Sequence, residues 1–455
     1  MAYTFQSRRN ALALSLSLLL ASTAVLHAET AFDRPAAYSG SVRFSGPEGA
    51  PIHAGSRVTI EGRGFGPGQK VTLTRGETRL SGDGLVADDE GAFRVTIELP
   101  AEAALGLHPV VVRTDAPDSA GVEELKVSPE IPLSGEEQFD ITRVRLVPGL
   151  YQSAYSEAAG ALFVAAATRE SSRLLKLDPE TLDLLAEVDP AEAEGGAFRL
   201  FGVAVDDAHG NVWVTNTVNG SAAVYAQSDL SLVRQLPEDS VPKPRDVVVD
   251  ATRNRAYLSS PSSSTITVFD TETLEPVEAI EIPSALRRQE FRAMSLALDE
   301  AGGQLYAVSL GTPEVARVDL ATGEPTIFAL PGTARASGVD FDPQTGRIFV
   351  ASQGSDDVIA LDGESGEVLY DTAVGAGTLN VAFDPVTGHL YASNRASDTV
   401  TVLDAASGEI VANLDGLSYP NHVEVGPDGV VWSVNKSRGP GDAEGDHVTR
   451  IAPRD

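Results

Sequence analysis

Four cations occupy one repeated place in this chain. Arg199, Lys243, Arg292 and Arg335 each stand seven residues before an aspartate, namely Asp206, Asp250, Asp299 and Asp342. Arg245 lies close to this set, and Arg169, Arg395, Lys436 and Arg438 follow apolar runs further along each repeat. Cations gathered at one end of a molecule attract anions: a nucleic-acid backbone, a nucleotide, a carboxylate ligand or an acidic partner. The neighbouring Tyr151, Phe201, Phe291 and Tyr419 are of the type that stacks bases in single-strand binders. The competing reading is that each cation pairs locally with carboxylates such as Asp246, Glu290, Asp356 or Asp357.

A second set lies four residues before each anchor: Gln152, Gly202, Asp246, Ser295, Gly338, Asn380 and His422, with Asn421 adjacent. Asp246, Asn380 and His422 are residue types that hold a metal or act as acid and base, as in lactonase-like or lyase-like propellers. Against this, two members are glycine, no carboxylates are paired, and the other histidines are scattered at 53, 108, 209, 389 and 447. Polar residues that merely bind water are the plainer alternative. The Asp-rich turns, including Asp206-Asp207, Asp299-Glu300, Asp342, Asp362 and Asp384, raise calcium as a candidate. Their carboxylates are dealt out singly, whereas calcium needs several oxygens on one ion, so ordinary turn chemistry explains them. Gly62 to Gly68 is a Gly-rich turn and not a phosphate loop, because Val71 follows Lys70 and no helix begins there.

These residues need a scaffold that repeats. The unit Val203-Ala204-Val205-Asp206, a turn at Gly210, then Val212-Trp213-Val214-Thr215-Asn216 recurs with anchors at 156, 206, 250, 299, 342, 384 and 426. Short alternating strands at such a period predict a seven-bladed β-propeller. Third strands such as Ile266 to Asp270 and Val400 to Asp404 follow, and then a turn and a fourth strand. The last repeat runs out after a third strand near His447 to Ile451, while Ile141 to Leu146 has no partner. Pairing these two segments closes the ring and leaves no unpaired edge there.

The repeat resembles the YVTN-repeat propellers of the YncE-like family. Val212-Trp213-Val214-Thr215-Asn216, Leu390-Tyr391-Ala392-Ser393-Asn394 and the turns at Asp270 to Glu275, Asp319 to Glu324, Asp362 to Glu367 and Asp404 to Glu409 carry the resemblance. It covers roughly residues 140–455 and speaks to blade geometry more than to activity. It implies an exported protein, with single-stranded DNA as one ligand known in such proteins, and it carries over no active-site motif.

Ahead of the repeats, residues 38–128 show short alternating segments such as Arg57 to Glu61 and Phe93 to Ile97, divided by turns about every ten residues. They read as an immunoglobulin-like β-sandwich, with 129–139 as a linker and 140–455 as the propeller. Residues 1–28, with Arg8 and Arg9 before an apolar run from Ala11, read as a signal peptide, its export route left open. No later stretch is apolar enough to span a bilayer, so a periplasmic or secreted location follows.

Composition sets the outer limits. The 455 residues hold 34 Lys plus Arg against 65 Asp plus Glu, a net charge of −31 that argues against a generally DNA-coating surface but not against a local basic patch. The absence of cysteine excludes disulfide frameworks, thiolate metal sites and cysteine nucleophiles. The reading is an exported, non-catalytic binding protein for an anionic ligand, with no cofactor. Its expected contacts are Arg199, Lys243, Arg245, Arg292, Arg335, Asn380, Asn421 and His422. The alternatives are an enzyme using Asp246, Asn380 and His422, or a protein-interaction scaffold.

Overall fold

The computed structural model describes residues 37–190 and 198–454. The expected signal peptide lies outside the described residues. Among them, no helix is long and apolar enough to cross a membrane.

Seven four-stranded antiparallel sheets follow one another from residue 150 to the C-terminal strand, so the chain is all-β and carries a seven-bladed propeller. The inner strands are Leu150–Ser156, Val203–Asp206, Val247–Asp250, Ala293–Asp299, Ala336–Phe341, Thr378–Asp384 and Pro420–Val425. Each touches the next, and the last touches the first, which closes the ring around a channel. The seventh blade takes its outer strand from the start of the propeller. His447–Pro453 pairs antiparallel with Phe139–Arg145, with Ile451 opposite Ile141 and Val448 opposite Val144. The expected closure holds, and its strand begins at Phe139, whose buried ring joins the core between blades six and seven.

Strand alternation explains where that core sits. Successive side chains point to opposite faces of a blade, and each face meets a neighbouring blade. The apolar core is therefore divided into seven layers, one per junction between blades. Trp213 fills the layer between blades two and three, and Trp432 the layer that joins blade seven to blade one. The acidic turns are fold chemistry. Asp362 Oδ1 accepts the backbone N–H groups of Glu364 and Ser365, and Asp404 treats Ala406 and Ser407 alike. The Ser407 hydroxyl first for Asp404, and the Ser365 backbone N–H first for Asp362, hold both carboxyls below the usual range, with the other donors adding to them. The anchor aspartates Asp206, Asp342 and Asp384 are buried.

Residues 41–127 form two antiparallel sheets, one of Ser41–Ser45, Arg57–Arg63 and Phe93–Glu98, the other built on Lys70–Arg75, Gly106–Thr114 and Ser119–Val127. Val58, Ile60 and Phe93 of the first share one core with Leu73, Val112 and Leu125 of the second. This sandwich is fastened to the propeller. Lys126 Nζ lies 2.7 Å from Asp356 Oδ1 and donates to Gln353 O, both in the loop between the second and third strands of blade five. The connecting segment packs as well, since Ser134 bridges to Asn413 in the outer strand of blade six, and Asn413 Nδ2 donates to Ile131 O.

Candidate functional site

A closed ring of sheets leaves an inner rim of backbone groups that no further strand can pair. Side chains from the preceding blade satisfy several of them. Asp246 Oδ2 accepts Leu296 N–H at 3.1 Å, Asp340 Oδ2 accepts Phe383 N–H at 2.7 Å, and Asn380 Oδ1 accepts Val423 N–H at 2.9 Å. Glu424 Oε1 accepts Tyr155 N–H at 3.2 Å, and Asn421 Nδ2 donates to Tyr151 O at 2.7 Å, both joining blade seven to blade one.

The expected acid–base set of Asp246, Asn380 and His422 is thus divided among stitches between different blades. His422 Nδ1 accepts from Ser153 N–H, which can only donate, so the ring proton is on Nε2. Burial, aided by the Arg245 charge, pushes the His422 pKa down to about 3. Among the described residues, no group of three or more His, Asp or Glu is disposed to hold a metal. Gly202 and Gly338 have their own cause. A Cβ on Gly202 would lie 2.6 Å from Arg245 O, and one on Gly338 2.7 Å from Asn380 Cα, because the next blade's backbone passes there.

Two acids in the channel wall escaped the sequence reading. Two residues before each anchor the chain has Ala154, Ala204, Val248, Ala297, Asp340, Ala382 and Glu424. A carboxylate in an otherwise apolar column was the available signal. Burial lifts Glu424 to about 8 and Asp340 to about 6, opposed by the N–H groups each accepts.

The cations divide into two tiers. Lys243, Arg292 and Arg335 are exposed, and none has a carboxylate within 4 Å among the described residues. Arg199 is half-buried and donates to Arg169 O at 3.2 Å. Arg245 is 3% exposed. Its guanidinium lies 5.5 Å from the Tyr151 ring centroid and 3.8 Å from Asp246. Lys436 Nζ is 4.7 Å from that same ring. Burial, and then the nearby Arg395 charge, lowers the Lys436 pKa to about 8 despite Asp446. Arg395 and Arg438 both lie over Tyr419, at 5.0 and 4.5 Å. Arg438 is neutralised by Asp398, which it meets with both oxygens at 2.6 Å.

Phe201 stacks edge-to-face on Tyr151 at 5.0 Å and is half-buried with it. Phe291 is fully buried in the layer between blades three and four, which corrects its expected role as a stacking platform. A cavity of about 610 Å³ opens beside Lys436, lined also by Arg145, Arg169, Gly439 and Gly441.

The chain resembles known proteins in both sequence and fold. The protein YncE of Salmonella typhi is 26% identical over 344 residues, covering 69% of this chain and 91% of that one. YncE of Salmonella typhimurium matches to the same degree. Both are described as uncharacterized. The chain is a YncE-like β-propeller protein. A solved structure of Kuenenia stuttgartiensis hydrazine synthase superposes with a TM-score of 0.53 at 18% identity, over 64% of this chain and 94% of that one. That likeness concerns the fold alone. No family model matches the chain.

In this YncE-like propeller a second stitch repeats on the face that carries the loops between second and third strands. Asp356, Asp398 and Asp446 sit at φ +64°, +63° and +61° in the loops between second and third strands. They accept the N–H groups of Gly377, Tyr419 and Gly149, each seven residues before the next blade's anchor. Each also has a cation nearby: Lys126 on Asp356, Arg438 on Asp398 and Lys436 near Asp446.

Proposed function

We propose that this YncE-like protein is an exported, non-catalytic binding protein that captures an anionic ligand at the cationic mouth of its channel. Its first 28 residues direct export, and its N-terminal sandwich is of the immunoglobulin-like kind. The observation that carries the binding reading is a cluster with more positive charge than the structure uses. Arg245, Arg395 and Lys436 surround Tyr151 and Tyr419, and the only carboxylate within 4 Å of any of them among the described residues is Asp246. The donors Arg245 Nε and Arg395 Nε are buried there without a hydrogen-bond partner, and an anion's oxygens can accept from both. Buried polar atoms are rarely left so, and a bound group supplies what they lack. The half-buried Arg199 and the exposed Lys243, Arg292 and Arg335 guide the anion in and add little once it is seated.

The test is equilibrium binding of a labelled oligothymidylate, ATP and a dicarboxylate across a salt series. At least one should bind, its affinity falling steeply between about 50 and 200 mM salt, and Arg245→Gln or Lys436→Gln should abolish it. Affinity independent of salt, or unaltered in both variants, removes the reading.

A further inference from the structure

The mouth has a neighbour of opposite sign. The sandwich stands on the same face of the propeller, over the second-to-third-strand loops of blades five and six, held by Lys126 on Asp356 and by Ser134 on Asn413. Between it and blades six and seven lies a cleft of about 520 Å³, lined on one side by Glu48, His53 and Glu130 and on the other by Asp398, Tyr419 and Arg438. That volume is in the range of small-ligand and peptide sites.

The cleft is acidic. Arg438 is already matched by Asp398, while Glu48 and Glu130 are exposed and have no cation within 4 Å among the described residues. His53 Nδ1 is 3.0 Å from Ser128 O, which can only accept, so Nδ1 carries the proton and Nε2 is left as an acceptor. The walls are stiff. Pro47, Pro51 and Pro129 line the cleft, and Glu48 is held at φ +54° in the turn between Pro47 and Gly49. A preformed wall lowers the ordering cost of whatever binds.

Tyr419 belongs to both places. Its ring lies under Arg395 of the mouth and Arg438 of the cleft. A ligand that reaches from one place to the other passes this ring.

We propose that the mouth and the cleft form one composite site for an extended peptide. Its free C-terminal carboxylate lies on Arg245, Arg395 and Lys436, and a lysine or arginine a few residues upstream lies against Glu48 and Glu130. This rests on the anion-binding reading of the mouth and adds the sandwich as a working wall. A uniform polyanion matches only half of such a site and is repelled by the other half.

The test uses the full chain and four labelled hexapeptides in fluorescence anisotropy. One has lysine three residues before a free C-terminus, one has glutamate there, and the other two are their C-terminal amides. The lysine peptide with a free carboxylate should bind best, with about a tenfold loss for either change, or 1.4 kcal/mol. The exposed double substitution Glu48→Gln with Glu130→Gln should erase the preference for lysine and leave the preference for a free carboxylate. Lys436→Gln should do the reverse. Equal binding of the lysine and glutamate peptides, with loss on amidation, overturns the composite site and leaves the anion site standing. Binding of oligothymidylate or ATP in a salt-dependent way, with no peptide bound, also overturns the composite site alone. Loss of salt-dependent binding to every probe overturns both.

Discussion

Asp446 Oδ1 accepts the backbone N–H of Gly149 at 2.8 Å, joining two residues 297 positions apart. It is the same contact that Asp356 makes to Gly377 and Asp398 to Tyr419, here placed across the seam where the ring closes. Replacing Asp446 by Ala leaves a buried donor unpaired, which costs about 1–3 kcal/mol. Chemical denaturation should show that loss with an unchanged slope, and Asp446→Asn should recover part of it.

The Lys436 pKa of about 8 makes ligand binding depend on pH. A bound anion favours the charged amine, so binding takes up a proton when the free amine is neutral. Affinity for an anionic probe should hold steady below about pH 8 and fall above it. Lys436→Arg, charged throughout, should flatten that fall.

Glu424 predicts the opposite kind of pH effect, on stability. Its folded pKa of about 8 lies above the ordinary 4.5, so the native state holds the proton more tightly than the unfolded chain. Stability from this group is full at acid pH and declines as pH rises from about 4.5 through 8. Melting temperatures of the wild type should drop across that window. In Glu424→Gln, whose amide oxygen still accepts Tyr155 N–H, the drop should shrink.

Gly338→Ala places a methyl group against the Asn380 backbone, which has no room to move between two blades. The expected cost is about 1–3 kcal/mol, read as a lower melting temperature. An unchanged midpoint would mean that the neighbouring blades separate more easily than their contacts imply.

Val144→Pro removes a ladder donor from the closing strand, opposite Val448. The loss should be about 2–3 kcal/mol, and the freed edge of His447–Pro453 should promote association, visible by size-exclusion chromatography.

Much of this was legible in the sequence. Period and strand alternation dictate seven blades, and a missing last strand with an unpartnered first one dictates the closure, because an open edge is costly. The positions four before each anchor do gather at the inner wall. Their role was less legible, because spacing does not say whether a polar side chain faces a ligand or the next blade's backbone. Asp246, Asn380 and His422 each accept a backbone N–H of the next blade. Arg245 became the innermost cation because Tyr151, almost a hundred residues earlier, provides the ring it lies against. The fastening of the sandwich had no local signature, since Lys126 looks like any exposed lysine until Asp356 is brought to it.

The pairing of Phe139–Arg145 with His447–Pro453 also sets a schedule. The strand that completes the last blade is the first of the propeller's strands to be synthesised, and its partner is the last of them. Until His447–Pro453 has been made and can pair, one blade edge must wait with Phe139 uncovered. A chain that stops before His447 therefore lacks its seam and should be recognised as unfinished and degraded.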